Sequence, residues 1–442
     1  MKKFGIIALA ALLVVAFTVP ASALESVFGG YWRTRMYSMS NWSGADDDTE
    51  KTFVDTRTRL YYTAVINDNL KFVNKFEFNT VWGDTNGGDI GADGTGHIRV
   101  KNSYVDFNLG PVNAKVGIQG GTLARGFIFD DDFSGMTIAY KGEGFTIPFI
   151  WIKAFEGHNA GYGDFNDQDV DYYALAPSFN VGEGITLKPY IMWATSDDIS
   201  GWSNSNGLYY HPLDMKTLAL FGAIPVGTEL DIMWYGLDAD LKFGPAKIWF
   251  TGIIEDGEVS APGAGDLDIS AYLLAVGGAY DMGMFDIHGQ YFYASGDDDW
   301  TDNDLDAFWI PSQGDSQGQS YYWAEIMGYG IFDDSVPSNC PADKITNVWA
   351  VNLGSKIKPM DKLTVAVDLW YAELAEARAL NIDETLGTEL DVVVSYELVE
   401  GLNLDVVGAY LWADDGVYKE GVDGTASQEN PYELGARLSL SF

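Results

Sequence analysis

The segment 386–399, LGTELDVVVSYELV, alternates apolar and polar side chains with a period of two residues. After the turn residues Glu400 and Gly401, the alternation continues through LNLDVVGAYLWA and returns in the final stretch, YELGARLSLSF. A period of two places alternate side chains on opposite faces of a β-strand. Each of these strands therefore has an apolar face, with aromatic residues near its ends, and a polar or charged face.

Two architectures can use such strands. A soluble sandwich buries the apolar face against a second sheet, whereas a transmembrane β-barrel turns it toward lipid and keeps the polar face inside. The aromatic residue Phe442 at the end of the last strand favours the barrel. This final strand, with its terminal aromatic residue, resembles the C-terminal strand of Gram-negative outer-membrane proteins.

The first residues predict export. Lys2 and Lys3 precede an apolar run from 4 to 19, and Ala21-Ser22-Ala23 forms an A-x-A cleavage site. We therefore predict a signal peptide over 1–23 and a barrel domain over 24–442. No later run reaches the ~20 apolar residues that a membrane helix needs.

Charge and cysteine content exclude several classes of protein. The chain has 26 lysines and arginines against 64 acidic residues, a formal net charge of −38, which argues against nucleic acid as a partner. Its single cysteine, Cys340, cannot form an intramolecular disulfide or a thiolate metal cluster. The sequence contains none of the common nucleophile, phosphate-binding or zinc-protease motifs, so we expect neither an enzyme nor a cofactor.

The alternating pattern predicts eighteen antiparallel strands in an all-β, up-and-down transmembrane barrel. Their predicted ranges are 27–39, 52–67, 70–83, 97–109, 112–120, 134–142, 145–156, 168–180, 185–196, 230–243, 246–255, 267–281, 284–296, 345–358, 362–374, 386–399, 402–413 and 431–442. Sixteen strands stay an alternative, because 215–226 is ambiguous. Strand 97–109 also changes parity, which requires a bulge near 102–104.

The connections alternate in length. Short Gly-, Asn- or Pro-containing turns, such as Gly110-Pro111 and Gly244-Pro245, alternate with long polar segments, which include 121–133, 197–229, 256–266 and 297–344. Outer-membrane barrels have short periplasmic turns and long extracellular loops. A barrel of ~16–18 strands encloses an aqueous channel.

If the apolar residues of each strand face lipid, the residues that alternate with them face the lumen. In the first strands, many of these lumen-facing residues are basic. These predicted pore-lining residues are Arg33, Arg35, Arg57, Arg59, Lys71, Lys75, Arg99, Lys101 and Arg437. The same argument predicts an opposing acidic wall, which consists of Asp368, Glu389, Asp391, Glu397 and Asp405. Opposed charges across a narrow pore create a transverse field that favours polar solutes. The alternative is that these charges pair across strands and stabilise the wall.

The segment 122–133, TLARGFIFDDDF, is unusually apolar for an outer loop. We predict that it folds inward and narrows the pore as a constriction loop, the alternative being packing on neighbouring loops. Its candidate residues are Arg125, Phe127, Phe129, Asp130, Asp131 and Asp132. Another acidic segment, Asp302-x-Asp304-x-Asp306, lacks the glycine and the final glutamate of a calcium-binding EF-hand loop, so no metal site is predicted.

The chain resembles outer-membrane porins over its mature length. The segment Gly387–Asp391, with the hairpin that leads to Leu404, is similar to the C-terminal hairpin of the alginate-export-like family. That resemblance implies an 18-stranded barrel with a lumen lined by arginine and lysine for a polyanion. The acidity of this chain departs from such an exporter.

The function that these observations favour is a porin, a passive diffusion channel for small hydrophilic solutes or ions in the Gram-negative outer membrane. Two alternatives remain at this point: an anionic-solute or polyanion export channel, and a barrel sheath for a multihaem cytochrome electron conduit. The expected partners are outer-membrane lipid, lipopolysaccharide and the permeating solutes. The barrel would act as a monomer or a homotrimer.

Overall fold

A computed structural model describes residues 24–42, 51–85, 87–90, 98–157, 168–200, 216, 224–263, 265–299, 301–309, 321–332, 337, 345–377, 384–417 and 429–442. The predicted signal peptide, residues 1–23, lies outside these ranges and stays a prediction. Most of the ambiguous segment 215–226 also lies outside them. No helix among the described residues has the length and apolar character needed to cross a membrane.

The described chain is almost entirely β-structure. Its strands are β1 (Glu25–Ser40), β2 (Lys51–Asn67), β3 (Leu70–Val81), β4 (Ile98–Leu109), β5 (Val112–Leu123), β6 (Phe129–Gly142), β7 (Phe145–Phe155), β8 (Val170–Leu175), β9 (Ser178–Gly182), β10 (Ile185–Ser196), β11 (Glu229–Phe243), β12 (Ala246–Ala261), β13 (Gly265–Asp281), β14 (Asp286–Ala294), β15 (Asp304–Leu305), β16 (Val348–Met360), β17 (Leu363–Leu374), β18 (Thr385–Val399), β19 (Leu402–Ala413) and β20 (Tyr432–Ser441). One 3₁₀ turn, Ala124–Gly126, lies between β5 and β6.

The sheet closes on itself into an antiparallel barrel of eighteen strand positions. β8 and β9 share one position, because both lie between β7 and β10. β15 has only two residues and pairs in parallel with β13, within the long connection that follows β14. Closure joins β1 to β20, and the backbone N–H of Gly30 donates to the carbonyl of Phe442 at 2.8 Å. The eighteen-strand prediction is confirmed, and the sixteen-strand alternative is wrong.

The predicted bulge in β4 is present and lies slightly earlier in the strand than expected. Lys75 of β3 faces Asn102, and the next residue, Phe76, faces Val100, so Lys101 is the extra residue. This insertion changes the parity of β4 and explains why its two halves follow different alternation patterns.

The connections are sorted by length between the two ends of the barrel. Eight short turns lie at one end, here called the turn end, and the other connections between neighbouring strand positions lie at the opposite end, the loop end. Two predicted loops are largely strand. β5 and β6 shorten 121–133 to a connection over 124–128, and β12 and β13 shorten 256–266 to one over 262–264. These ends are rich in glycine and acidic residues, so the pattern derived for lipid-facing strands underestimates their length.

The barrel interior is divided into two unlike halves. Toward the loop end, the inner faces of β7 to β14 carry apolar side chains that are almost completely buried, among them Ile232, Trp234, Leu267 and Phe292. They form one continuous cluster with residues of the connections, including Phe127, Trp309 and Met327. The inner faces of β1 to β5 instead carry charged and hydroxyl side chains. Described chain segments therefore fill one side of the lumen, whereas several charged side chains of the polar side, among them Lys71 and Arg99, are exposed in the described structure.

Candidate permeation pathway

The basic residues of β1 and β2 lie on the lumen face, as their parity requires. Arg33 stands opposite Arg57, and Arg35 stands opposite Asp55 on one side and Arg437 on the other. Arg33 and Arg35 are only 5% and 4% exposed, so other parts of the protein cover these two side chains. The Arg35 guanidinium donates to both carboxylate oxygens of Asp55, with a shortest distance of 2.6 Å.

A buried carboxylate on β3 lies beside the two arginines of β2, Arg57 and Arg59. Glu77 of β3 is 3% exposed and lies 2.6 Å from Nε of Arg59 and 3.7 Å from Nε of Arg57. Arg57 also donates to the side chain of Asn79 at 2.9 Å. Asp55 and Glu77 share the parity of the arginines, a signal that could have identified them from sequence. The alternative in which these charges pair across strands therefore describes Arg35, Arg57 and Arg59.

The lysines and Arg99 are more accessible than the arginines of β1. Lys75 lies over the ring of Tyr61, 5.2 Å from its centroid, and Arg99 is exposed beside Glu77. Lys101 forms an ion pair with Asp132 at 2.7 Å. Lys71 lies farther down, at the turn end, where it lines a cavity whose other walls include Asp68, Asp106, Asn113, Lys115 and Lys141.

The acidic wall does not lie opposite the basic one. β17 to β19 carry the acids and are followed around the barrel by β20 and β1, so the two walls adjoin. At their border, the Arg437 guanidinium pairs with Asp405 at 2.9 Å. Asp368 lies 2.8 Å from His288 of β14 and accepts a hydrogen bond from Asn352. Glu397 is half-buried near the turn end. The predicted transverse arrangement of opposed walls is therefore wrong.

Two of the predicted pore-lining acids are covered by another part of the chain. Glu389 is completely buried and Asp391 is 4% exposed. The carboxylate of Glu389 accepts hydrogen bonds from the backbone N–H groups of Ile326 and Met327, at 2.6 and 2.9 Å. Asp391 accepts one from the backbone N–H of Glu325 at 3.3 Å. These acids hold a chain segment against the wall and do not face open lumen.

That segment, residues 321–332, is here called the inner segment, and its position could not be inferred from its composition. At one end, the Tyr321 hydroxyl donates to Gln290 of β14 at 2.7 Å. At the other end, Phe332 stacks on Tyr37 of β1, with 4.9 Å between ring centroids. The carbonyl of Ile331 accepts a hydrogen bond from Arg437 of β20. The inner segment thus spans the lumen from β14 to β20 and β1.

The connection 124–128 also reaches across the interior. Arg125 pairs with Asp240 of β11 at 2.6 Å, donates to Thr251 of β12, and lies over the ring of Trp249. Phe127 is fully buried and stacks on Tyr321, with 3.9 Å between centroids. The remaining candidates of this segment lie in β6. There Phe129 packs on Phe133, and Asp130 accepts a hydrogen bond from the Thr122 hydroxyl. Asp132 forms the ion pair with Lys101 described above, and Asp131 is exposed.

The acidic segment after β14 encloses a lysine. The Lys216 ammonium donates to the carboxylates of Asp297 and Asp302, at 2.7 and 2.8 Å, and to the backbone carbonyls of Asp299 and Asp304. Further along, the backbone N–H of Trp309 donates to the buried carboxylate Glu255 at 2.8 Å. Buried wall carboxylates thus hold the connection 295–347 at two places, through Glu255 and through Glu389 with Asp391.

Comparison with known proteins shows the fold of this chain. No protein-family model and no curated protein matches the sequence. Three similar solved structures are OccK9 (OpdG) and the outer-membrane protein OpdK of Pseudomonas aeruginosa, and OccAB4 of Acinetobacter baumannii. Their identities to this chain are 13%, 11% and 10%, with TM-scores of 0.56, 0.55 and 0.56. The matches cover 95%, 94% and 94% of this chain and 99%, 99% and 98% of theirs.

At these identities the similarity establishes the architecture alone, a closed antiparallel barrel of 18 strands like those of the outer-membrane channels compared. It agrees with the 18-stranded barrel architecture that the resemblance noted from sequence implies. It does not support the finer assignment to the alginate-export-like family.

Proposed function

We propose that this protein is a porin of the Gram-negative outer membrane, a passive diffusion channel for small hydrophilic solutes or ions. The observation that carries the proposal is the uneven interior. Apolar packing fills one half of the lumen, while accessible charged side chains line the other half, from Arg99 and Lys75 to Lys71 at the turn end. A continuous polar face inside a lipid-facing barrel is what a water-filled path requires.

The charges along this path favour small anions as the first solutes to test. Arg99, Lys75 and Lys71 occur at successive levels of the wall formed by β3 and β4, and Lys115 of β5 lies at the level of Lys71, since both stand opposite Asp106. One similar structure, OpdK, was solved with vanillate, an organic anion. Under this proposal, a small carboxylate would pass along the lysines while the arginines above remain paired with Asp55 and Glu77.

Neither alternative function gains support from the geometry. A polyanion exporter or a cytochrome sheath needs a wide lumen that holds a polymer or a second protein. Here the inner segment and the connection 124–128 occupy that space and pack on each other through Phe127 and Tyr321. The outward faces of the strands would contact lipid and lipopolysaccharide, with the barrel acting as a monomer or a homotrimer.

Single-channel recording of the purified chain without residues 1–23, in planar bilayers, tests the porin proposal directly. We expect stable conductance steps without any added partner protein. A chain that migrates as a folded barrel but gives no conductance at any pH or salt concentration would contradict the proposal. Conductance that requires an added cytochrome would instead favour the sheath.

A further inference from the structure

The inner segment is held in the lumen by an unusual group of acids. Glu325, on the segment, lies against Glu389 and Asp391 on the wall, and all three are at least nine-tenths buried. The Glu325 carboxylate accepts a hydrogen bond from the backbone N–H of Ile331 at 2.9 Å, which closes a tight turn in the segment. One buried oxygen of Asp391, Oδ1, has no hydrogen-bond partner among the described residues.

Three buried carboxyl groups in contact cannot all be ionised without strong repulsion. The charged and titratable groups that face Glu325 come from three strands. They are Glu389 and Asp391 of β18, Arg437 of β20 and Asp368 of β17, the last of which binds His288. Arg437 is already paired with Asp405 at 2.9 Å, so it supplies only part of a counter-charge. Docking of the inner segment therefore requires that the cluster retain protons.

We propose that the inner segment is a pH-responsive gate, docked while the Glu325–Glu389–Asp391 cluster is protonated and released when the cluster ionises. Release would remove Phe332 from Tyr37 and Ile331 from Arg437, and so clear the side of the lumen next to β1 and β20. The proposal rests on the channel function given above, although docking itself can be measured without conduction.

The direction of the response follows from the position of Glu325. Burial raises the pKa of Glu325 to about 7, the charge of Glu389 acts in the same sense, and the Ile331 N–H and Arg437 oppose the shift. A group whose pKa is higher when docked stabilises docking at low pH, and this stabilisation is lost as pH rises through the docked value. Suppose that one such carboxyl returns to its ordinary pKa when the segment is released. The ratio of the docked to the released population then falls about tenfold between pH 6 and pH 8.

The first test is single-channel recording of the unmodified barrel from pH 6 to pH 8. We expect conductance or open probability to rise across this range. In Glu325→Gln, which keeps the side-chain shape without the ionisable proton, we expect the low-conductance state to persist at pH 8. The matched control is Glu397→Gln on β18, which removes an acid of the same lumen parity near the turn end and should retain the normal response.

Two outcomes would overturn the gate. One is conductance that does not change between pH 6 and pH 8 in the unmodified barrel. The other is a full pH response in Glu325→Gln. A response that disappears in His288→Gln but persists in Glu325→Gln would assign the titration to the His288–Asp368 pair instead.

Thiol accessibility measures docking independently of conduction. Met327 belongs to the inner segment and is fully buried in the docked position. Two variants are compared at pH 8, both in a Cys340→Ser background: one carries Met327→Cys alone and the other carries Met327→Cys with Glu325→Gln. We expect the introduced cysteine to react with a membrane-impermeant maleimide several-fold faster in the first variant than in the second. Comparison at one pH removes the effect of thiol ionisation. Equal rates would refute the gate, whereas a difference in a barrel that does not conduct would refute only the porin function.

Discussion

At the scale of single residues, the accessible cations are the side chains that should set ion selectivity. We predict that the double variant Lys75→Gln/Arg99→Gln shifts the reversal potential in a salt gradient toward cation selectivity, with the largest effect at low salt, where screening is weak. These two side chains were chosen because they are accessible, whereas Arg35 and Arg59 pair with Asp55 and Glu77.

The matched control is Lys71→Gln/Lys115→Gln, which removes the same charge from the same wall at the turn end, where the path is expected to be wider. A smaller shift is expected there. An equal shift in both variants would mean that selectivity depends on overall charge and not on this level of the wall.

Parity alone assigned most side chains to lumen or lipid, because one face of every strand is apolar. It could not assign their partners. Arg33 and Arg35 have the parity of pore-lining residues, yet they are almost completely buried. Glu389 and Asp391 have it too, but their environment depends on a segment about sixty residues earlier in the chain, whose inward fold leaves no local pattern.

At the scale of the strand, the parity of β19 makes a sharp prediction about stability. Val406 is 42% exposed on the lipid face, near the middle of the strand. Val406→Arg should destabilise the barrel by about 2–4 kcal/mol, the cost of a cation at the bilayer midplane. Asn403→Arg, on the lumen face of the same strand, should cost far less. Urea titration of both variants in lipid vesicles measures the difference, and equal losses would contradict the assignment of faces.

The polar contacts of the connection 124–128 come from Arg125, and their contribution can be tested by single-channel recording. Arg125→Ala removes the contacts with Asp240 and Thr251, so the connection should become mobile and single-channel conductance should rise. Lys188→Ala removes another cation from the same acid, since Lys188 lies 2.9 Å from Asp240. Because Lys188 does not belong to the connection, its loss should leave conductance nearly unchanged. A comparable rise in both would place the connection outside the path.

Strand positions were predictable because alternation and turn chemistry are local properties. Strand lengths at the loop end were not predictable, because β12 and β13 continue beyond the lipid-facing pattern. There their inner residues pack on loop segments and their outer residues become acidic, as at Asp256 and Asp266. At this level the apolar face points inward, so the parity rule derived for lipid contact reverses.

At the scale of the whole molecule, closure depends on close contact between the first and last strands. A Cβ atom at Gly30 would lie 2.7 Å from the carbonyl oxygen of Arg59 and 2.5 Å from the ring of Phe442. We predict that Gly30→Ala costs about 1–3 kcal/mol, the usual range for overpacking. The temperature at which the compact, heat-modifiable band is lost in detergent gels should fall.

Gly408→Ala provides the control for closure. The Cβ atom added there meets only Leu434, at 3.8 Å, which is ordinary contact. This variant should retain the mobility of the parent chain at every temperature. If both variants unfold at the parent temperature, the seam between β1 and β20 tolerates more space than its geometry suggests.

The division of the interior also determines which changes the barrel can accept over evolutionary time. Side chains such as Trp234 and Phe292 belong to a close-packed core, where truncation to alanine costs about 3–5 kcal/mol. Lys75 and Arg99 are half-buried and exposed, respectively, and do not belong to this core. New solute preferences can therefore arise by substitution along β3 to β5 without a loss of stability, while the inner faces of β11 to β14 should vary as slowly as the interior of a soluble protein.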